Sequence, residues 1–295
     1  MPLVSIIVTL YNRKAFIKQA IESILDSDFQ DWELIIVDDC SSDGSANIAQ
    51  SFEGRDPRIR VFINEQNLGQ FENRNYAASL ACGTYIKFID SDDLIYPHGI
   101  GTMVRAMEAY PSCGIGFDDE HYDGSSAFPH CYSPERIFEK HYFERGMLFV
   151  GPLGSIYRRS LFEELGGFDP ACGVAADYDF NLRAAARKDV VVFQRDLYWY
   201  RRHEGQELVQ KAADYFRLSF SINRSILTGS DCPMNSRAAR LALDNIYLLN
   251  MRKALFRALK MQLGTALSMI RFMNPPLRLY FLVFFPYRMR RKLKL

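Results

Sequence analysis

The chain has 295 residues, of which 48% are apolar, with 36 basic and 35 acidic residues and a formal net charge of +1. This length and apolar content support a large buried core, so the composition excludes a disordered chain. The charges are unevenly placed: residues 245–295 hold eleven Lys or Arg and no Asp or Glu, which leaves 25 basic against all 35 acidic residues in the rest. Because the basic run is short and the body is acidic, we expect no nucleic-acid partner.

Three features bear on the cellular compartment. The N-terminus opens directly on the strand-like stretch LVSIIVTL, with no basic region before it, so we expect no secretory signal. The apolar run 279–285 is too short for a membrane span, which needs roughly 18 residues. The six cysteines form no CxxC pair and have no metal-ligand spacing, which favours reduced thiols in a cytoplasmic protein.

Apolar, β-branched runs alternate with segments of helical spacing in the first 110 residues. This alternation is typical of βα units that feed a mostly parallel sheet. The predicted strands are residues 4–10, 33–39, 59–64 and 85–90, and the predicted helices are residues 14–25, 45–52, 70–81 and 97–109. Ser42 and Asp43 are suited to cap the second helix. Pro97 is suited to the first turn of the fourth helix.

The middle of the chain is less regular and richer in Gly, Pro and aromatic residues. It contains the helical stretch ADYDFNLRAAARK and the strand-like stretch VVVFQRDLYWYRRH. From about residue 211 helical spacing dominates, and one apolar helix face is predicted from Ala238, Leu241, Ala242, Asn245, Ile246 and Leu249. We therefore predict an α/β domain over residues 1–210, with two halves that meet near residue 110, and a helical, basic region over 211–295.

Polar residues, with one glycine among them, lie at or just after the carboxyl ends of the first four predicted strands. They are Thr9, Tyr11 and Asn12, then Asp38 and Asp39, then Asn67 and Gly69, and finally Asp90, Asp92 and Asp93. In an open parallel sheet, ligands bind beyond the carboxyl ends of the strands, where the strand order reverses. Three carboxylates this close disfavour their own ionisation unless a cation or hydrogen-bond donors share the site. Since Mg²⁺ and Mn²⁺ bind one or two carboxylates plus substrate phosphates and water, we predict a divalent cation beside a nucleotide.

No phosphate-binding loop accompanies these residues. The stretch GQFENR lacks the G-x-x-x-x-G-K pattern, and no G-x-G-x-x-G follows the first strand. A diphosphate must then be neutralised by the metal and by Arg or His. In YRRH, strand alternation sends Arg201 and His203 to one face and Arg202 to the other. We expect Arg201 to face the diphosphate and His203 to be a third metal ligand, with a purely structural histidine as the alternative.

Five motifs occur in a familiar order: VSIIVTLYN, ELIIVDDCSSDGS, NLGQFENRNYAASLACGTYIKFIDSDD, GGFD with ADYDFNLR, and YRRH. Over about residues 2–205 the sequence thereby resembles the GT-A glycosyltransferases of family 2, which are inverting enzymes that use nucleotide sugars. The resemblance implies a Rossmann-like, mixed and mostly parallel sheet flanked by helices. It also implies a nucleotide-binding half at about 1–110, an acceptor half at about 111–210, and Mn²⁺ or Mg²⁺ as cofactor.

The resemblance also assigns roles to residues of this chain. Thr9, Tyr11 and Asp39 would hold the base, and Arg74 would support the nucleotide pocket. Asp92 would face the ribose or the metal, and Asp93 would bind the metal. Asp90 would be a further metal ligand or would support one. Asp177 matches the second residue of the family's usual Glu-Asp pair and would be the general base that accepts the proton of the acceptor hydroxyl. Ala176 stands where the family has Glu. On a helix, Asp179 would point about 200 degrees away from Asp177.

We therefore expect an inverting transferase that moves a sugar from a UDP-sugar to a saccharide or lipid-linked acceptor in surface polysaccharide or glycan synthesis. The alternative is a catalytically silent nucleotide-sugar-binding or scaffolding protein, which Ala176 leaves open. A nucleotidyltransferase would need a Gly-rich basic loop after the first strand, and TLYNRKAF does not supply one.

The basic C-terminus, PPLRLYFLVFFPYRMRRKLKL, joins aromatic residues to cations. This combination predicts contact with an anionic membrane surface, so that the protein lies on the inner face of the membrane. The alternatives are a helical cap packed on the α/β domain and a protein interface.

Overall fold

The computed structural model describes residues 1–119, 127–203 and 212–285. Its strands are β1 (Val4–Leu10), β2 (Trp32–Asp38), β3 (Ile59–Ile63), β4 (Tyr85–Asp90), β5 (Leu94–Ile95), β6 (Cys113–Asp118), β7 (His130–Tyr132), β8 (Ser155–Arg158), β9 (Asp189–Phe193) and β10 (Tyr198–Trp199). The four predicted strands are confirmed to within one residue at each end. Their apolar runs form strands because both faces of the sheet are covered, so every residue of β2, for example, is buried.

The helices lie between and after these strands. They are α1 (Ile17–Leu25), α2 (Ser45–Glu53), α3 (Gln70–Ser79), α4 (Gly99–Ala109), α5 (Pro134–Glu139), α6 (Arg159–Glu164), α7 (Ala176–Arg187), α8 (Ala212–Thr228), α9 (Ser236–Leu259), α10 (Leu263–Met273) and α11 (Leu277–Leu282). The prediction for Pro97 was wrong, because α4 begins two residues later and the Pro97 carbonyl instead accepts the backbone N–H of Asp28. Ser42 is also not the N-cap of α2. The N-cap is Gly44, at φ +87°, and the side chain of Asp43 accepts the N–H of Ser45.

The main sheet has eight strands in the order β3-β2-β1-β4-β8-β6-β9-β7. The strands β3, β2, β1 and β4 run parallel, and the chain moves outward from β1 to β3 before it returns to the other side of β1 as β4. The strand order therefore reverses between β1 and β4. The register sets Thr9 against Asp90 and Leu10 against Asp38, so the polar residues that follow these strands meet at one edge.

A two-stranded antiparallel pair, β5 with β10, completes this edge. It sets Leu94 opposite Trp199 and Ile95 opposite Tyr198. The pairing brings the residues after β10 next to the turn after β4, although more than a hundred residues separate them in the chain. This contact between distant segments positions the second wall of the site.

The C-terminal helices are not separate from the α/β domain. Residues of α8 and α9, such as Ile222 and Ala242, belong to the same apolar core as Phe138 of α5 and Tyr178 of α7. A second core lies among α8 to α11 themselves. The predicted apolar face of α9 was wrong in part: Leu241 and Leu249 are 44% and 50% exposed, and the helix instead buries Tyr247, Leu248 and Met251 among others.

Two further expectations concern membrane-spanning helices and the state of the cysteines. In the part of the chain that the structure describes, no helix is both long and apolar enough to cross a membrane. All six cysteines lie in that part and are free thiols. Residues 286–295, which hold the basic end of the predicted membrane segment, lie outside the described residues.

Candidate functional site

A cleft of about 900 Å³ opens at the edge where the strand order reverses. The β1, β2 and β4 ends form one side, and residues 151–154 and the start of α7 form another. Eight of the ten predicted site residues line this cleft: Thr9, Tyr11, Asp39, Arg74, Asp90, Asp92, Asp93 and Asp177. Arg201 and His203 are not among the lining residues; they lie behind the turn after β4.

Asp39, at the end of β2, holds together the loop that leads into α3. Its Oδ1 accepts the N–H of Leu68 (2.8 Å) and the side-chain amide of Asn64 (2.9 Å), and its Oδ2 accepts the N–H of Gly69 (2.9 Å). Gly69 has φ +91°, a backbone conformation that favours glycine. Tyr11, at the end of β1, leaves 48% of its surface exposed and so offers an aromatic face to the cleft.

Asp90, the first carboxylate of the cluster, pairs with Arg74. Arg74 comes from α3 and is only 3% exposed; its Nη2 donates to Oδ1 of Asp90, and its guanidinium lies 5.3 Å from the centre of the Phe71 ring. A buried guanidinium needs such a partner, because an unpaired charge in the interior costs several kcal/mol. One of the three negative charges is therefore balanced by the protein itself.

Asp92, the second carboxylate, is held by two donors. Its Oδ2 lies 2.9 Å from Nε of Arg13 and 2.8 Å from Nε2 of His203, whose ring stacks on Phe16. Arg13 also lines the cleft. Sequence reasoning missed Arg13, although the pair of cations in YNRK directly after the first strand was a signal for it.

Asp93, the third carboxylate, is almost completely buried. Its Oδ1 accepts the N–H of Arg201 (2.8 Å), while its Oδ2 has no hydrogen-bond partner among the described residues. Burial first, and then the negative charge of Asp90, raise the pKa of Asp93 to about 7. The site therefore keeps one buried carboxylate oxygen that a ligand could use.

The segment after β10 shows the predicted alternation, but the other face meets the cleft. Arg201 donates from Nε to the carbonyl of Asp92 (2.7 Å) and lies over the rings of Phe16 and Trp199, so it holds the turn in place. Arg202 and Tyr200 line the cleft instead. The sequence established the alternation but not which face would meet the site.

The described residues contain no group of three or more His, Cys, Asp or Glu side chains arranged to hold a metal ion. A divalent cation does not need one, because one or two carboxylates together with substrate phosphates and water are sufficient. The free, buried Oδ2 of Asp93 in the cleft wall fits this mode of binding. The residues present therefore fit a cation that binds together with a phosphate ligand.

Asp177 lies in the first turn of α7, and its Oδ1 accepts the N–H of Tyr178 (2.7 Å). Burial raises the pKa of Asp177 to about 6, and the nearby Arg74 partly opposes this rise. Asp179 is turned away from the cleft and pairs with Arg183 at 2.7 Å, as helix geometry predicts. Ala176 is completely buried in the core and is not among the residues that line the cleft.

A buried hydrogen-bond chain supports the turn that carries Asp177. The ring of His141 accepts the N–H of Leu148 at Nδ1 (3.0 Å), so Nε2 carries the proton and donates it to the Tyr178 hydroxyl (2.8 Å). Tyr178 in turn donates to Oδ1 of Asn223 in α8 (2.9 Å). Burial lowers the pKa of His141 to about 3, so the ring is neutral at physiological pH. No pattern in the sequence indicated this contact between α7 and α8.

Lys87, in the middle of β4, is fully buried and holds the opposite wall. Its Nζ donates to the carbonyls of Pro152 (3.2 Å), Leu153 and Ser155 (3.1 Å), in the segment that contributes residues 151–154 to the cleft. Burial lowers the pKa of Lys87 to about 7. The sequence signal was a lysine inside the otherwise buried strand YIKFID, and it was missed.

A mixed, mostly parallel sheet flanked by helices, with a carboxylate cluster at the end of the strand beside the reversal, is the architecture of the GT-A glycosyltransferases. Residues 5–166 match the family model described as Glycosyl transferase family 2. This match covers more than half of the chain, and the chain belongs to that family. The predicted fold class and family are thereby confirmed.

Among curated proteins, the chain is 34% identical over 214 residues to the uncharacterized glycosyltransferase EpsJ of Bacillus subtilis. This alignment covers 68% of this chain and 62% of EpsJ. The chain spans 20% to 62% of the length of the first three curated relatives that it matches.

Solved structures share the fold. Staphylococcus aureus TarS 1–349 in complex with UDP-GlcNAc is 20% identical, with a TM-score of 0.71 over 95% of this chain and 83% of that chain. The mannosyltransferase PcManGT of Pyrobaculum calidifontis, in complex with GDP-Man and Mn²⁺, is 17% identical, with a TM-score of 0.65 over 96% of this chain and 78% of that chain.

Proposed function

We propose that this protein is an inverting glycosyltransferase that moves a sugar from a UDP-sugar to a hydroxyl of a saccharide or lipid-linked acceptor, in the synthesis of a polysaccharide or related glycan. The observation that carries the proposal is the composition of one cleft. It joins a strand-end carboxylate with a free oxygen, three arginines, and a separate carboxyl group whose pKa is raised to about 6.

The donor would lie along the β1 and β2 ends. Tyr11 offers its exposed ring for stacking on the base, and Thr9 and Asp39 add polar groups at the same edge. Arg13 and Arg202 line the cleft and would face the diphosphate. Guanidinium groups suit this role because their planar, fixed set of donors matches phosphate oxygens.

Asp93, with Asp92 beside it, would hold Mn²⁺ or Mg²⁺ together with the donor phosphates. When bound, the cation would supply charge neutralisation for the nucleoside diphosphate leaving group. Asp90 supports this arrangement indirectly, since it fixes the Arg74 guanidinium at the cleft wall. Among solved structures of this fold, PcManGT is in complex with GDP-Man and Mn²⁺.

Asp177 would act as the general base. A carboxyl with a pKa of about 6 is mostly ionised at neutral pH, yet it is a stronger base than an exposed aspartate, and general bases work best with a pKa near the operating pH. The acceptor hydroxyl would lose its proton to this carboxylate as its oxygen attacks the anomeric carbon. The alternative of a silent binding protein rests on Ala176, and its absence from the residues that line the cleft supports an active transferase instead.

We place the reaction in the cytoplasm, where six free thiols would stay reduced. The test is donor hydrolysis and transfer by the purified full-length protein across UDP-, GDP- and dTDP-sugars, with Mn²⁺, with Mg²⁺ or with a chelator. Metal-dependent turnover of a UDP-sugar, with inversion at the anomeric carbon, is the expected result. Binding of UDP-sugars without turnover on any acceptor would instead identify a silent binding protein, and retention of configuration would exclude Asp177 as a simple base.

A further inference from the structure

The helix α9 presents a regular exposed stripe to solvent over its C-terminal half. Leu249, Lys253, Phe256 and Lys260 follow one another at intervals of four, three and four residues, which places them on one side of the helix. Leu249 and Phe256 are 50% and 58% exposed, and Lys260 lies 4.6 Å over the Phe256 ring. Large apolar side chains and cations therefore alternate along one outward line.

The next helices repeat this arrangement. On α10, Leu263, Leu267 and Arg271 are all exposed at intervals of four residues. On and just after α11, Leu277 and Phe281 are 89% and 66% exposed, and Phe284, three residues further on, is 74% exposed. We call these outward residues of α9 to α11 the C-terminal helix face.

The inward residues of the same helices are already packed. Met251 of α9, Met269 and Met273 of α10 and Leu279 of α11 form a core together. The outward apolar residues are thus not needed to hold the helices to each other. Contiguous exposed apolar surface on a folded protein marks a surface that meets something else.

The charge of this region indicates which kind of surface it contacts. Residues 245–285 contain six Lys or Arg and no Asp or Glu. Two of the six link α9 to the region of α11: Arg278 pairs with Asp244 (2.7 Å), and Arg252 donates to the carbonyl of Val283 (2.9 Å). The other four, Lys253, Arg257, Lys260 and Arg271, are exposed on the helices that carry the apolar stripes.

We propose that the C-terminal helix face docks on an anionic lipid bilayer, with its leucines and phenylalanines among the headgroups and its cations against lipid phosphates. Interfacial helices combine apolar side chains with cations in this way. A second copy of the chain is a poorer partner, because it would bring four further cations against the four already there. The inference does not depend on the proposed transfer reaction.

The test is flotation of the full-length protein with vesicles of phosphatidylcholine mixed with phosphatidylglycerol, and with vesicles of phosphatidylcholine alone. We expect binding to the anionic vesicles that falls with salt. Each cation near such a surface strengthens binding roughly fivefold, so the double variant Lys253→Glu with Lys260→Glu should bind at least about 25-fold more weakly. The matched control reverses two exposed cations of the α/β domain, Lys18→Glu with Arg55→Glu, and should bind like the parent.

A second pair of variants tests the apolar part and the basic end separately. Leu277→Ser with Phe281→Ser changes only exposed side chains and should also weaken vesicle binding, with unchanged thermal unfolding. Replacement of the five cations of residues 288–294 by Gln should leave binding that still responds to the Lys253 and Lys260 changes.

Loss of all binding in that Gln variant would overturn the proposal, as would equal binding to neutral vesicles. A dimer of the parent protein that becomes a monomer in the Leu277 and Phe281 variant would also overturn it, because a second copy would then cover the face.

Discussion

Replacement of Asp177 by Asn should strongly slow transfer and at the same time make the protein more stable at neutral pH. The amide has the size of the carboxyl and can still accept the N–H of Tyr178, but it cannot take a proton. Transfer should therefore fall by roughly 10²- to 10⁴-fold, while the affinity for the donor stays near that of the parent.

The gain in stability follows from the burial of the carboxyl group. The pKa of Asp177 rises from 3.8 to about 6 in the folded state, and each pH unit corresponds to about 1.4 kcal/mol. Ionised Asp177 thus costs about 3 kcal/mol of folding free energy. Between these two pH values the folded state holds more protons than the unfolded state, so this contribution falls as the pH rises from about 4 to 6 and is constant above that. The Asn variant has no carboxyl at this position and so does not lose folding free energy as the pH rises.

The assay is urea unfolding of both proteins across this pH range, in the presence of a chelator so that no cation shifts the equilibrium. The difference in unfolding free energy should grow between about pH 4 and pH 6 in favour of the variant. The parent's transfer rate should also decline about tenfold per pH unit below about pH 6. The matched control is Asp179→Asn, which breaks only the ion pair with Arg183; it should lose less than about 1 kcal/mol and keep most activity.

Two results would refute this reasoning. Equal losses of transfer in the Asp177 and Asp179 variants would mean that the orientation of α7 does not select the base. A variant at Asp177 that is less stable than the parent at neutral pH would mean that the ionised carboxylate is stabilised by its surroundings rather than penalised by burial.

Three further predictions concern other parts of the cleft. Asp93→Asn should remove the Mn²⁺ dependence of UDP binding in calorimetric titration and keep the fold, because the amide oxygen can still accept the N–H of Arg201; an unchanged metal dependence contradicts it. Arg202→Ala should weaken UDP about tenfold or more but leave uridine binding unchanged, since hydrogen bonds to charged groups are worth about 1.5 to 3 kcal/mol; equal weakening of both ligands would place Arg202 away from the diphosphate. Asn223→Leu should lower stability by about 1 to 3 kcal/mol, because the buried Tyr178 hydroxyl loses its acceptor, and should lower kcat more than it changes KM; a variant with normal kcat would show that this chain does not position the base.

The first four strands and the carboxylates that follow them could be predicted from the sequence because both depend on local patterns. A run such as VSIIVTL is mostly apolar and β-branched and is too short for a buried helix, so it favours a strand covered on both faces. Parallel strands then bring their carboxyl ends to one edge. The position of Asp39, Asp90 and Asp93 at that edge can therefore be predicted without knowledge of the remaining fold. Helix geometry likewise separated Asp177 from Asp179.

What the sequence could not determine was which distant segments meet. Arg202 reaches the cleft because β10 pairs with β5, and Asn223 supports the turn of Asp177 because α8 packs on α7. Lys87 holds the cleft wall because the carbonyls of residues 152–155 lie over β4.

The same limit explains the error on α9. The spacing of Leu241 and Leu249 shows an apolar stripe, but whether a neighbouring helix or the solvent covers that stripe depends on tertiary packing. Periodicity thus determines the face on which a side chain lies, whereas the partner of that face is set by contacts between segments far apart in the chain.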